Sequence, residues 1–541
     1  MKHVARTLIL SLAFTLGLAL TTSVVRADGP SAKVRSCELV FSFRSTALDR
    51  FVKENKTIEA LNAEMKPLAS GAEGLAAKLS LIKNAKHTID LSYYIFKDDV
   101  AGEAVLAAIK EALQRGVKVR LLLDGFGAFH PTQSRFRDLV AYSREPNTPG
   151  ELDIKLINPI GSIRKTLSKV LTLIKTGRSE FAPADANNRS HDKILLVDTG
   201  FETSWAVLGG RNIGDDYYGL RGKKLEIIDH EILMKGGAGK DAQADPLRQI
   251  QRHYDVMFGS RANLTLNPDV LISLLSRAHA VTKKIGASPS KPADLTAVRE
   301  ALEQMNSLDY WSQDFEQIRG AFITEVQNVM KNHRRTFARD TWLSSGLKTG
   351  LAESVFEMIK KAKSNVTIIT PYALFNDTDI AALKTWLVEN PEATFDLYTN
   401  STLSTNQIIV TTMFNRLTLP KLQALKNDPL IGDRIHLYLF KGPSLLHAKA
   451  VVIDQEISLT TTTNLDPRSR IHNSEIGLWS NSRANCTALL TLAQNLKMNS
   501  IYVTTEQAPK FKGRGAMENL KLKTALVFGR VLETLRLDSL L

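Results

Sequence analysis

Cysteine is nearly missing: Cys37 and Cys486 are the only two in 541 residues. At most one disulfide is available, tying the start of the chain to its second half; the alternative is two lone thiols buried as small apolar groups. Neither has a catalytic setting. Aromatic residues make up 7%, few for a groove that interleaves rings with basic side chains to bind single-stranded nucleic acid, and no known nucleic-acid module is present. Beyond the first 27 residues no apolar run is long enough to cross a bilayer. No low-complexity tract occurs. With 43% hydrophobic and 23% charged residues, 31 Gly and 18 Pro, collagen, coiled coil and disorder are excluded.

What is present is a long, basic, globular chain. At roughly 150 residues per domain its length predicts two to four domains. The net charge of +14 attracts polyanions: nucleic acid, an anionic membrane surface or a phosphorylated small molecule. Residues 1–27 read as a secretory signal, with Lys2 and Arg6 ahead of an apolar Leu8–Leu20 and a small-residue cleavage site at Val25, Arg26 and Ala27. That segment holds three basic residues and no acid, so its removal leaves +11. The reading implies an exported protein, periplasmic or secreted; the alternative is an uncleaved N-terminal anchor from Leu8 to Val25.

The sequence repeats itself. Ala85–Leu91 and Ala362–Ile368 share a basic turn followed by alternating apolar residues, with Tyr93 and Tyr94 or Tyr372 just after. An apolar-periodic helix comes next (101–115 and 378–389), then a second strand (117–124 and 393–398), so each half is an α/β unit with parallel strands covered by helices. A sharper repeat follows: His191, Lys193 and Asp198 are matched by His447, Lys449 and Asp454 at the same spacing, with Asn212 and Asn464 downstream. Side chains alternate along a strand, so His and Lys two apart share a face and one strand can offer both to one ligand.

These residue types suit phosphodiester chemistry. Two Lys and two Asn surround an anion with ammonium and amide donors, as the non-bridging oxygens of a phosphodiester require. Two His supply a nucleophile, which forms a phosphohistidine, and a general acid for the departing oxygen. The lysines provide the charge that a metal ion supplies elsewhere, and zinc ligation fails on spacing: a cationic Lys stands two residues from each His, with no third or fourth ligand cluster. Neither metal nor cofactor is expected. Each His needs an orienting carboxylate; Glu475 and Asp229, the latter in a strand-like run from Leu225 to Met234, are the candidates. Asp198 and Asp454 read as structural residues at strand ends.

Two HxKx4D motifs each followed by Asn resemble the phospholipase D superfamily, closest to bacterial cardiolipin synthase-like proteins. The likeness runs through residues 52–541, including IDLSYYIFKDD (89–99), GVKVRLLLD (116–124), GGRNIGDDY (209–217), YTNS (398–401), SLLHAKA (444–450), NLDPRS (464–469) and NSE (473–475). The resemblance implies an α/β fold of two pseudo-symmetric lobes, each a mixed, mostly parallel sheet flanked by helices, with one active site at their interface. It implies His191 as nucleophile, His447 as acid, Lys193, Lys449, Asn212 and Asn464 on the phosphate, and Glu475 and Asp229 holding the histidines. The expected organisation is a signal (1–27), an N-terminal extension (28–51), a first lobe (52–260), a helical connecting segment (261–345) and a second lobe (346–541). Thr461 and Thr462 depart from the usual Gly and Ser before Asn464 and are expected to crowd the backbone there.

The motifs fix the bond type and leave lipid and nucleic acid open as substrates. Ile163, Leu167, Val170, Leu171 and Ile174 recur at helical spacing among Arg164, Lys165, Lys169, Lys175 and Arg178, as in a helix lying on an anionic membrane; the alternative is an ordinary helix packed on its lobe. Leu520–Leu535 carries the same ambiguity. Chain length and motif similarity favour phospholipid as the partner, with an alcohol or water as acceptor and no obligate protein partner; the alternative is an exported metal-independent nuclease.

Overall fold

The computed structural model describes residues 47–55, 60–125, 133–157, 189–222, 226–237, 239, 241, 244–260, 263–266, 293–332, 350–405 and 408–504. The expected signal, Cys37, the basic helix around 163–178 and the 520–535 stretch lie outside them. Cys486 is buried.

In the first half the strands are β1 (Leu61–Leu68), β2 (Thr88–Tyr93), β3 (Lys118–Asp124), β4 (Leu152–Ile157), β5 (Lys193–Val197), β6 (Ser204–Gly209), β7 (Ile227–Ile228), β8 (Glu231–Gly236) and β9 (Leu264–Thr265). The second half has β10 (Glu316–Thr324), β11 (Asn365–Ile369), β12 (Thr394–Asn400), β13 (Ile435–Phe440), β14 (Leu445–Leu446), β15 (Ala450–Ile453), β16 (Ile457–Thr461), β17 (Ile476–Ser480) and β18 (Ser500–Tyr502). Sixteen of them form one sheet in the order β18-β13-β12-β11-β15-β16-β17-β10-β1-β8-β6-β5-β2-β3-β4-β9. Read outward from the central β1–β10 pair, the two halves have the same order, so the duplication seen in the sequence is a two-fold repeat of topology.

The large sheet is mixed. Within it, parallel strand pairing is confined to β2–β3–β4 and β11–β12–β13, where crossover helices return the chain in the same direction; β7 and β14 form a separate parallel pair. One such helix is Val100–Gln114: Asp99 caps it by accepting from the Gly102 N–H, and Val105, Leu106, Ile109, Ala112 and Leu113 are buried. The other pairs in this sheet are antiparallel, β5–β6 and β15–β16 being joined by short connections. The segment expected as a helical connection, 261–345, contains β10 as well as helices Thr296–Met305 and Val326–Asn332; only Ile318 is buried among the first four residues of β10, and from Gly320 on it is continuously buried. Its antiparallel partners β1 and β17 join the halves.

The motif strands are buried on both faces. Along β5, Ile194 and Leu196 enter one apolar cluster, Leu195 and Val197 another. Along β15, Val451 and Ile453 enter one, Ala450 and Val452 another. Continuous apolar runs are therefore the pattern to expect here, with the polar ends of each strand left to face the site.

Candidate active site

Both motif histidines precede their strands. β5 begins at Lys193 and β15 at Ala450, so His191 and His447 lie in extended lead-in segments, and the expected single strand carrying both His and Lys is corrected to a strand with a lead-in. The reason is backbone pairing across the halves. The N–H of His191 donates to the Ser474 carbonyl at 2.9 Å, and that of His447 donates to the Ile228 carbonyl at 2.8 Å. Ser474 precedes Glu475 and Ile228 precedes Asp229, so each bridge sets a histidine beside the acid of the opposite half. A parallel Ser190–Ser474 bridge and the parallel β7–β14 pair mark these two seams.

The side chains complete the exchange. His191 Nδ1 lies 2.9 Å from Glu475 Oε2, and His447 Nδ1 lies 2.6 Å from Asp229 Oδ2. His191 Nδ1 is also 3.1 Å from the Thr462 carbonyl; a carbonyl only accepts, so Nδ1 carries the proton and the Nε2 lone pair is left for the cavity. Glu475 accepts from Thr462 Oγ1 at 2.6 Å, Ser469 Oγ at 2.8 Å and Asn473 Nδ2 at 3.3 Å as well. Thr462, expected to crowd the backbone, thus supplies a hydroxyl to the acid. At the matching position of the first half, a Cβ on Gly210 would strike the Asp229 carboxylate.

His191, His447, Asn212 and Asn464 line one cavity of roughly 180 Å3, walled by Tyr94 and Tyr217 among others. The Tyr94 ring meets His191 edge-on at 5.0 Å between centroids, and Tyr217 meets His447 at 5.5 Å. Asn212 is fixed by the Ile95 N–H on its oxygen and by donating to the Tyr217 hydroxyl. Asn464 Oδ1 is buried without a partner. Lys193 donates to the His191 carbonyl at 2.6 Å and Lys449 donates to the His447 carbonyl; both ammonium groups are buried beneath the histidines. Asp198 and Asp454 are elsewhere, at the far ends of β5 and β15. Both have positive φ, 53° and 52°, and each gathers backbone N–H groups before the neighbouring strand: Lys86, His87 and Thr88 on Asp198, and Lys363, Ser364 and Asn365 on Asp454. A larger cavity of about 870 Å3, beside Asp198, Trp205 and Trp311, brings together no such set of converging groups.

Burial and the adjacent Lys193 and Lys449 push His191 well below its ordinary value. Burial and Lys449 push His447 down to about 3, against the pull of Asp229. Burial also lowers Lys193 to about 8 and Lys449 to about 7. Asp229 is raised by burial, but the His447 ring, Lys449 and Arg211 outweigh that and hold it below the usual carboxylate range. Burial pushes Glu475 up, with Lys193 and its hydroxyl donors opposing. Burial first and the lysine charges second thus favour the neutral form of both imidazoles, and an anion bound beside them offsets the second cause.

Tyr94 and Tyr372, which the sequence repeat placed just after a strand in each half, line the cavity; sequence reasoning did not single out Arg189, Tyr217, Asp466, Arg468 or Asn473, which line it too, nor the buried Asp192 and His253. Asp466, Arg468 and Asn473 fall within stretches already noted for their motif character; His253 carries no local signal.

The family described as "Cardiolipin synthase, PLD-like domain" matches residues 79–244 and 355–497, more than half of the chain and both motif regions. An uncharacterized protein of Helicobacter pylori is 25% identical over 416 residues, covering 75% of this chain and 74% of the relative. Cardiolipin synthase C of Escherichia coli is 32% identical over 191 residues, a third of each chain. A cardiolipin synthase of Clostridium perfringens is 23% identical over 398 residues, 74% of this chain and 63% of the relative. The crystal structure of a phosphatidylserine synthase of Haemophilus influenzae superposes with a TM-score of 0.58 at 15% identity, over 91% of this chain and 99% of that one, which shows a common fold. With its paired motifs, crossed acids and matched halves, the chain belongs to the family of the cardiolipin synthase PLD-like domain.

Proposed function

We propose that this chain transfers or hydrolyses the phosphodiester of an anionic phospholipid through a phosphohistidine. The observation that carries the reading is that His191 and His447, from the two halves, line one cavity with Nδ1 of each engaged by a carboxylate from the other half. In the first step Nε2 of neutral His191 attacks phosphorus and the bond to the head-group oxygen breaks, while Nε2–H of protonated His447 gives its proton to that oxygen. In the second step His447 takes a proton from an alcohol or water. Its oxygen displaces the histidine from phosphorus, and the N–P bond breaks. Lys193, Lys449, Asn212 and Asn464 hold the non-bridging oxygens as charge builds there.

The role assignment follows from the two acids. Asp229 is held ionised and stabilises a proton on His447, whereas Glu475 is already occupied by three other donors. His447 therefore suits proton transfer and His191 nucleophilic attack. Chain length and the family's lipid-synthase relatives support phospholipid as substrate; the basic charge suits nucleic acid equally. Residues 1–27 support export with attachment at a membrane surface; among the described residues no helix is long and apolar enough to cross a membrane.

The test is turnover of labelled phosphatidylglycerol, with and without added alcohol, beside single- and double-stranded DNA, all in chelator. Lipid turnover that survives chelation is expected. His191→Ala should abolish the covalent intermediate and cost at least about 10²- to 10⁴-fold in rate. DNA cleavage without lipid turnover would replace this reading with a nuclease.

A further inference from the structure

We propose that Asp192, His253, Ser474 and Thr324 form a positioning device for the His191–Glu475 couple, one that the His447–Asp229 couple does not have. Asp192 stands between His191 and Lys193 and, by strand alternation, points to the opposite face. There it meets His253, whose Nε2 is 2.9 Å from Asp192 Oδ2, and Ser474, whose hydroxyl reaches Oδ1 at 3.0 Å and Oδ2 at 2.9 Å. All of these side chains are at most 1% exposed.

The hydrogen-bond accounting closes. The Asp192 carboxylate only accepts, so His253 donates to it from Nε2, and Nδ1 of that tautomer accepts the Thr324 hydroxyl at 3.0 Å, whose oxygen takes the Val326 N–H at 3.0 Å. Asp192 also receives the Ser474 hydroxyl and, at 3.4 Å on Oδ2, the Ser190 hydroxyl. Four segments meet: the lead-in to β5, the helix Arg248–Phe258, the end of β10 and the residue before Glu475. Burial pushes Asp192 up, but His253, Ser474 and Lys193 outweigh it and keep the carboxylate ionised.

Its direction of action comes from the seam. Ser474 is tied to the first half by its carbonyl, which takes the His191 N–H, by its N–H, which donates to the Arg189 carbonyl at 2.8 Å, and by its hydroxyl on Asp192. The next residue is Glu475, whose Oε2 meets His191 Nδ1. At the mirror seam Asp192 is replaced by Ala448 and Ser474 by Ile228. There the hydrogen bonds run from His447 N and Ala448 N to the Ile228 carbonyl at 2.8 and 3.0 Å, and the Ile228 side chain packs against the apolar cluster of Leu446 and Ala448 instead of meeting a polar partner. The device therefore fixes the couple that the proposed function assigns to nucleophilic attack, and its kinetic consequence rests on that reading.

Ser474→Ala removes only the hydroxyl and leaves Asp192 paired with His253. It is expected to lower kcat by about 10- to 100-fold, the size of effect that sub-ångström misplacement of a reacting group produces, with KM unchanged; Ser474→Thr restores kcat. Asp192→Asn should act in the same direction, with folding of each variant checked by its urea midpoint. A second readout does not depend on substrate: the downfield Nδ1 proton of His191 in the NMR spectrum, assigned by its loss in His191→Gln, should shift in Ser474→Ala and return in Ser474→Thr. Full kcat in folded Ser474→Ala and Asp192→Asn, or an unmoved resonance, overturns the proposal. A wild-type chain that turns over no phospholipid tells against the functional reading, and the resonance then decides the positioning role by itself.

Discussion

Replacing Asp229 by Asn should disable His447 as a proton donor while sparing nucleophilic attack. Asp229 uses both oxygens: Oδ1 accepts the His230 N–H at 2.8 Å and Oδ2 accepts His447 Nδ1 at 2.6 Å. In Asn the amide oxygen is required by the His230 N–H, so the NH2 faces Nδ1 and His447 must accept there, moving its proton to Nε2 as a neutral tautomer. The charge is lost as well. A unit charge at about 4 Å and an effective dielectric near 20 is worth about 4 kcal/mol, or about three pKa units in the proton affinity of the imidazole and up to a thousandfold in rate. The assay compares two leaving groups. Release of an alkyl head group, which needs a proton, should fall by about that factor. Release of p-nitrophenolate from the matching phosphatidyl ester, which needs none, should keep near-wild-type burst kinetics. Equal loss on both leaving groups, with the rescue appearing instead in Glu475→Gln, would refute the assignment and exchange the two histidines.

Anion affinity should fall as pH rises through 7 to 8, where Lys449 and Lys193, lowered to about 7 and about 8 by burial, lose their protons. Both ammonium charges are present below this window and absent above it. Competitive inhibition by sulfate, dianionic throughout, should weaken by roughly tenfold or more per lysine, from the 1.5–3 kcal/mol of a charged hydrogen bond; a pH-independent inhibition constant would contradict this. Asp198→Ala and Asp454→Ala should each destabilise the fold by about 1–3 kcal/mol in urea titration, from backbone donors left unpaired, and leave kcat intact; a loss of kcat in the folded variants would put these residues in the chemistry.

The duplication was legible because a repeated spacing of His, Lys, Asp and Asn survives where the surrounding sequence does not. The strand–helix–strand unit within each half followed from the alternation of apolar runs and helical periods, as at Val100–Gln114 and Asp377–Glu389; the order of strands across the sheet did not. The crossing of the acids was not legible. Glu475 follows His447 and Asp229 follows His191 in the chain, yet each serves the other half's histidine, because the seams are made by backbone pairing between Ser190 and Ser474 and between β7 and β14. Short bridges of one or two residues leave no periodic trace. β10 was hidden for a related reason: it opens with half-exposed polar residues and is recognisable only from its neighbours β1 and β17.

The two halves have diverged at matched points, and the divergence explains why a symmetric motif yields unequal histidines. Gly210 and Thr462 stand at the same place before the motif asparagines. In the first half a side chain there would collide with the Asp229 carboxylate, so glycine leaves the short acid two strong contacts, one of them the imidazole of His447. In the second half the Thr462 hydroxyl, with Ser469 and Asn473, spends the acceptor capacity of Glu475 before His191 is counted. A carboxylate shared among four donors offers each of them less than one shared between two. His447 thus keeps the stronger claim on a proton, while His191, held by the Thr462 carbonyl as the Nδ1–H tautomer, keeps its Nε2 lone pair for phosphorus.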